Sequence, residues 1–383
     1  MKFQEVILRA MSKQITWMQA AEILGMSDRN MRRYRNRLEK GGYDGLIDRR
    51  TQRPSPKRIP MATVEKVLTL YREEYFDFNV RHFHEKLGQE HGIELSYTWV
   101  KSALQEAGLV AKKRKRGAHH KRRARRPLPG MMLHIDGSTH AWLGSEHEKF
   151  DLVTIMDDAT SEIYYARFVD EENTETVMAG LLSVVERLGV FCALYSDRAS
   201  HFFCTPKGAK KPDLSIRTQV GRALEQLGIE AIPAGSPQAR GRCERSYGTL
   251  QGRLPAEMRK AGVRTMDEAN AYLAKYLLEH NAKFTVIPTE QGTAFVPYTG
   301  ADLKKVFSRH HERIVGNDNT ISFGRIRMQI ERQTFRFSMA RCRVLLCELL
   351  NGTIAVYYGP HLLGTYSSDG QLLGNPQRKE RAA

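Results

Sequence analysis

The stretch MMLHIDGSTH, residues 131–140, decides how the middle of this chain folds. Its apolar run Met131-Met132-Leu133-His134-Ile135 has the composition of a strand and closes on Asp136. The same device returns at Phe191-Cys192-Ala193-Leu194-Tyr195-Ser196, which closes on Asp197. Working outward, strands are predicted over 131–136, 151–156 and 163–168, with the turn Asp157-Asp158-Ala159-Thr160-Ser161 before the third. A helix over 174–188 and a strand over 191–196 come next. A helix near 218–227, a short strand over 229–233 and two long helices, roughly 240–260 and 265–281, complete the region.

Three antiparallel strands followed by helix, strand, helix, strand and helix is the element order of an RNase H-like α/β domain, placed at 128–290. A third acid, Glu244, falls just inside the helix that starts near Arg240. A lone Asp at a strand end is usually a cap and a lone Glu on a helix is usually solvated. The conjunction changes the reading. Two strand-end acids and one helix acid supply the oxygen ligands that hard divalent ions take, and a pair of such ions can clamp the attacking and leaving oxygens of a phosphodiester. Asp157 and Asp158 compete for the first position, but their turn location assigns them to capping. Glu225 and Glu230 compete for the third and lack its flanking residues.

The 383 residues carry a net charge of +17, and hydrophobic content of 41% is enough for packed domains. Residues 1–130 hold 29 Lys and Arg against 14 Asp and Glu, so nearly all the excess is in the first third. A basic arm joined to a near-neutral body points to a polyanion partner. The five cysteines form no CxxC pair, which argues against a zinc site or a disulfide framework. No segment reads as a membrane span or signal peptide, so the expected setting is the cytoplasm, with the nucleoid.

Residues 1–50 read as a helix-turn-helix domain. Thr16 caps a first helix, Gly25 breaks it, and Ser27 or Asp28 caps a second that presents Arg29, Arg32, Arg33, Arg35 and Arg37. A plain helical hairpin with a solvated basic face is the competing reading. Residues 51–60 hold three prolines and read as a linker. Helices over 63–74, 80–91 and 97–107 make 61–110 a second helical unit for DNA or for structure alone. The run 111–127 then includes Lys112, Lys113, Arg114, Lys115, Arg116, Arg122 and Arg123, a segment for sequence-independent phosphate contact. After a linker over 291–317, alternating short runs over 318–370, with Asn351-Gly352 as a hairpin turn, predict a small β-barrel. Residues 371–383 read as a disordered tail.

After Asp197 comes Arg198-Ala199-Ser200-His201-Phe202. Before Glu244 comes Ser236-Pro237-Gln238-Ala239-Arg240-Gly241-Arg242-Cys243, and Arg245 follows it. On these residues and LHIDGSTH, the chain resembles bacterial insertion-sequence transposases of the DDE, or retroviral-integrase-core, superfamily, ISNCY-like in the first motif. The family pattern is S-D-x-G-S-x-F at the second acid and S-P-x-x-x-G-x-x-E-R at the third. Ala199 stands where related families often have Gly, and Arg240 where many have Asn. The interval from Asp197 to Glu244 is longer than is common, and the stretch 204–217 reads as the inserted loop.

The resemblance implies a metal-dependent polynucleotidyl transferase. Asp136, Asp197 and Glu244 would be both catalytic and metal-binding, with two Mg²⁺ (or Mn²⁺) ions per site. The enzyme would bind the terminal inverted repeats of a mobile element, cut to a 3′-OH and join that end to target DNA as a homo-oligomer. Arg240, Arg242 and Arg245, at one helix start, are candidates for DNA phosphate. His201 either supports the active site or packs within it. The competing functions are a DNA-binding regulator with an inactive core, an RNase H-like nuclease without strand transfer, and a phage-type integrase.

Overall fold

The computed structural model describes residues 3–47, 58–112, 123–144, 146–206, 208, 211–213, 215–235, 241–300 and 302–374. Lys113, Arg114, Lys115, Arg116, Arg122, Arg240 and the tail beyond Gly374 lie outside them. The chain divides into two compact units, Met1–Thr69 and Leu70–Ala383.

In the first unit, α1 (Phe3–Met11), α2 (Trp17–Ile23) and α3 (Asp28–Gly41) enclose a small core of Val6, Ile7, Ala20, Ala21, Met31 and Leu38. Thr16 and Gln19 form a reciprocal capping box at the start of α2. Ser27, rather than Asp28, caps α3 by accepting from the Asn30 N–H. Such caps are worth about 1 kcal/mol each. Between the two helices Gly25 takes φ +63°, the left-handed conformation that only glycine adopts freely. The expected helix-turn-helix is present, with α1 completing its core. A fourth helix, α4, covers Met61–Glu73.

The second unit begins with α5 (Val80–His91) and α6 (Tyr97–Glu106), capped by Asn79 and Ser96. Next come β1 (Leu133–His140), β2 (Phe150–Asp157), β3 (Ile163–Val169), α7 (Thr174–Leu188), β4 (Ala193–Ser196), α8 (Gln219–Gln226) and β5 (Glu230–Pro233). They form one sheet in the order β3-β2-β1-β4-β5. The first three strands are antiparallel, while β4 and β5 run parallel to β1. Leu133, Ile135, Val153 and Ile155 bury one face against α7 and α8. The other face, including Leu152, Met156 and Phe168, is covered by α9 (Gly241–Gln251), α10 (Leu254–Lys260) and α11 (Met266–Phe284). The single helix expected over 240–260 is therefore two. Pro255 enters the first turn of α10, where its missing N–H costs nothing.

Two further expectations are corrected. β1 runs past Asp136 to His140, because Gly137–His140 continue to pair with β2, so Asp136 lies inside a strand rather than at its end. The C-terminal region is also not a closed barrel. After α12 (Leu303–Val306), strands β6 (Arg309–Ile314), β9 (Arg343–Glu348), β10 (Ile354–Tyr358), β11 (His361–Tyr366) and β12 (Leu372–Gly374) make an open sheet in the order β12-β11-β10-β9-β6. Between β6 and β9, β7 (Thr320–Phe323) and β8 (Ile326–Gln329) form a separate hairpin. The alternation that marks each strand is the same in an open sheet and a barrel, since closure is a matter of edge pairing. The Asn351-Gly352 turn joins β9 to β10 as expected, with Gly352 at φ +80°.

The α5 segment and the turn before it pack on the α/β body. Asn79 donates to the Gly252 carbonyl at 2.6 Å, and Glu257 of α10 accepts from His82 at 2.7 Å and pairs with Lys86 at 2.8 Å. Arg253 pairs with Glu85, and Arg259 with Asp77, each at 2.7 Å. Burial alone would raise the Glu85 carboxyl, yet Arg253 and Lys283 hold it at about 2. Glu90, beside Lys260, Tyr75 and Lys86, is likewise held at about 2 against burial.

Both pKa values lie below the ordinary carboxylate value of 4.5, so this stabilisation is complete above that value and is lost as pH falls towards 2. The amide protection factors of α5, corrected for the intrinsic exchange rate at each pH, should therefore be flat between about pH 5 and 8 and fall below about pH 4. Protection that survives to about pH 2 would show that the ion pairs do not hold this helix.

Candidate active site

The register of the sheet sets two of the three acids. Leu133 stands opposite Leu194 and His134 opposite Tyr195 across the parallel pair β1–β4. The same register, continued two residues, leads from β1 to Asp136 and from the end of β4 to Asp197, which directly follows that strand. Asp136 also pairs across β2 with Thr154, whose hydroxyl meets the Tyr247 hydroxyl at 2.9 Å, so theirs is the face that α9 covers. The Tyr247 hydroxyl reaches the Asp136 and Leu152 carbonyls as well. One and two turns along the same face of α9, Glu244 precedes Tyr247 and Gln251 follows it; Gln251 donates to Ser138 at 3.0 Å. Glu244 thus belongs to the helix stripe laid along β1, at its exposed N-terminal end. Burial, and then the nearby Asp136 carboxylate, push the Tyr247 phenol far above its ordinary value and keep it a neutral hydrogen-bonding post.

Asp197 immediately follows β4, and its carboxylate accepts the Ala199 N–H at 2.9 Å, which shapes the turn leading to His201. His201 Nε2 lies 3.1 Å from Glu172, and both side chains are largely buried. A Cβ placed on Gly137 would fall 2.1 Å from Glu172 Oε2. Glu172 is therefore a fourth carboxylate beside the Asp136 segment, and sequence reasoning missed it. No motif flanks Glu172. The available signal was Gly137 itself, a glycine inside a strand, which marks a close approach.

Asp157 and Asp158 act as the turn position suggested, and more. Asp157 accepts from the Gly130 and Thr160 N–H groups at 2.9 and 2.8 Å. The fully buried Asp158 carboxylate gathers His134 at 2.7 Å, Arg123 at 3.0 Å, the Arg126 N–H at 2.8 Å and the Arg242 guanidinium. Burial opposes its charge, but His134, the Arg126 amide and Arg242 hold it well below the usual carboxylate range.

The arginines predicted to meet phosphate are divided by the structure. On α3, Arg29, Arg32, Arg33 and Arg37 are exposed, and Arg35, half-buried, pairs with Glu39 at 3.5 Å. Lys112 is exposed. Arg123 lies over the Tyr195 ring, 5.3 Å from its centroid, as well as on Asp158. Arg242, only 10% exposed, spends its charge on Asp158 and the Arg123 carbonyl. Arg245 is exposed, and its Nε donates to the Gly241 carbonyl at 2.9 Å.

Among the described residues, no three His, Cys, Asp or Glu side chains are gathered closely enough to hold a metal ion. The strand and helix positions are set, whereas the three carboxylates do not form a ready-made cage. Their chemistry, oxygen donors alone, still suits a hard divalent ion.

The sheet, with Asp136 in β1, Asp197 directly after the parallel β4 and Glu244 on a helix across it, has the RNase H-like element order expected from the sequence. A winged helix-turn-helix family matches residues 5–63. The putative transposase y4bF of Sinorhizobium fredii is 33% identical over 85% of this chain and 72% of its own length. The transposase for insertion sequence IS1202 of Streptococcus pneumoniae is 26% identical over 94% of this chain and 85% of its own length. The chain belongs to the transposases. Among solved structures, the simian T-cell lymphotropic virus intasome matches 73% of this chain and 91% of its own, at 15% identity and a TM-score of 0.34. The magnesium-bound HTLV-2 integrase catalytic core matches 39% and 85%, at 15% identity and a TM-score of 0.29.

Two substitutions separate framework from site. Asp158→Asn removes the one carboxylate that Arg123, His134 and Arg242 share, and should cost about 3–5 kcal/mol in denaturant unfolding. A loss under about 1 kcal/mol would show that the arginines find water instead. Gly137→Ala meets chiefly the carboxylate of Glu172, with the Glu172 Cβ at 3.3 Å, so the melting temperature should fall by no more than about 5 °C while strand cutting drops at least about tenfold. Unchanged cutting would remove Glu172 from the site.

Proposed function

We propose that this transposase binds the terminal inverted repeats of its mobile element, cuts each end to a 3′-OH and transfers that strand to target DNA. The observation that carries the reading is the placement of Asp136 in β1 and of Asp197 directly after the parallel β4, with Glu244 on the helix stripe laid along β1. Asp136, Asp197 and Glu244 would hold two Mg²⁺ or Mn²⁺ ions. When bound, such ions supply charge neutralisation at the phosphodiester and favour a deprotonated water or hydroxyl.

The chain's own residues do the rest. Tyr247 fixes the backbone of Asp136 and the separation of α9 from the sheet. The Ala199 N–H orients Asp197, and the His201–Glu172 pair ties the Asp197 loop to the Gly137 segment. The exposed arginines of α3 lie on the helix that enters the major groove in helix-turn-helix proteins. Lys112 and its basic neighbours, Lys113 to Arg116 and Arg122, add phosphate contacts without sequence preference. A homo-oligomer pairing two DNA ends follows from the need to cut both ends of one element.

The test is a cutting and joining assay on DNA carrying the element ends, with Mg²⁺ or Mn²⁺. Asp136→Asn, Asp197→Asn and Glu244→Gln should each reduce cutting by at least about 10³-fold and leave DNA affinity within about twofold. Binding without cutting by the native chain would favour a regulator with an inactive core. Cutting without joining would favour a nuclease. Cutting that survives Asp197→Asn would move the site elsewhere.

A further inference from the structure

On the side of α9 opposite the Glu244–Tyr247–Gln251 stripe lies a pocket of about 220 Å³, closed by the β2–β3 turn and the end of α11. Arg242, Arg245 and Thr249 recur at helical spacing on this side, and Arg125 enters from the end of the basic run. The charge here is unbalanced. Arg125 donates to two main-chain carbonyls, those of Asp158 at 2.8 Å and Ala159 at 3.2 Å, and has no carboxylate partner among the described residues. Arg245 has none either. Asp158 is shared by Arg242 and Arg123, with His134 on the same oxygen. Burial, followed by the charge of Arg242, pulls the Arg125 guanidinium below its ordinary pKa. Crowded cations of this kind are stabilised by an anion.

His280 and Ser161 complete the lining. His280 lines the pocket, is 4% exposed, and its buried Nδ1 has no hydrogen-bond partner among the described residues. Ser161 lines it from the turn with φ +61°, a left-handed backbone uncommon outside glycine. The lining therefore offers guanidinium forks and hydroxyls, a donor set that matches the several oxygens of a phosphoryl group.

We propose that this pocket is a phosphate subsite that takes a backbone phosphate of bound duplex DNA, on the side of α9 away from the catalytic acids. The inference rests on the DNA strand-transfer reading and specifies a surface for it. DNA is favoured over a free anion because Arg125 continues the basic run and α9 carries Glu244, so the strand that reaches the acids passes this helix. The subsite converts α9 into an element held from both sides, by β1 on one and by DNA on the other.

Arg245 is the residue to change, since it is exposed and holds no ion pair in the framework. Full-length native chain, Arg245→Gln and Arg245→Lys are titrated with a short duplex over a range of salt, and melting is followed for each. Arg245→Gln should bind about fivefold more weakly near 0.1 M salt and lower the salt slope by about 0.9, with melting unchanged; Arg245→Lys should restore most of the slope. In parallel, phenylglyoxal labelling of Arg245 is read by peptide mass spectrometry with the duplex or with inorganic phosphate present. Protection by the duplex supports the subsite. Protection by phosphate alone, with the duplex bound but not protecting, makes it a free-anion site and overturns the proposal. Equal slopes for native and Arg245→Gln overturn it too, while leaving the transferase reading intact. A native chain that binds no duplex removes both.

Discussion

The buried Asp158 carboxylate is the constraint on which the catalytic body depends. Taking a carboxylate fully out of water costs several kcal/mol, and here that cost is met by two guanidinium groups and a hydrogen-bonding histidine from three separated parts of the chain. Arg123 comes from the segment leading into the sheet, His134 from β1 and Arg242 from the first turn of α9. Their convergence fixes α9 against the β2–β3 turn. Tyr247 then fixes its distance from β1, and Glu244 takes its place on that helix. A charge that reads as a turn residue thus sets the position of the third acid without touching it.

The basic character of the chain resolves into two uses. Some arginines serve the framework: Arg242 and Arg253 are each 10% exposed and paired with carboxylates. Others keep their charge for solvent or a partner, as on the exposed face of α3 and at Arg245. Net charge alone does not separate the two, because a guanidinium counts the same whether it answers an internal carboxylate or a phosphate. What separates them is the location of Asp and Glu in space. The same accounting explains α5 and the turn before it, where Glu85, Glu90 and Asp77 meet Arg253, Lys260 and Arg259 and join the helical segment to α10.

Among the described residues the candidate site has no gathered metal cage. Register places Asp136 and Asp197, and helix phase places Glu244, but neither fixes a side-chain rotamer. Three like charges brought together without a counter-ion repel one another, so an open arrangement is the expected resting state of such a site. Glu172, held by His201 and pressed on Gly137, adds a further carboxylate to that field.

Much of this was determined by the sequence itself. Period-two and period-3.6 patterns placed β1 to β5 and α5 to α8 to within a few residues, because those elements bury a face whose spacing is local. The helix-turn-helix was legible in Thr16, Gly25 and Ser27, since capping and a left-handed glycine are decisions of one or two residues. The proposal of Asp136, Asp197 and Glu244 as the acids rests on their flanking motifs. Tertiary structure alone decided what depends on distant partners. The extension of β1 beyond Asp136 needed β2 to pair with, the open C-terminal sheet turned on which edges met, and the break at Gly252-Arg253 fell where α5 docks. The roles of Asp158, Arg242 and Glu172 were hidden for the same reason. An ion pair is set by distance in space, and its partners here lie from 24 to 84 residues apart along the chain.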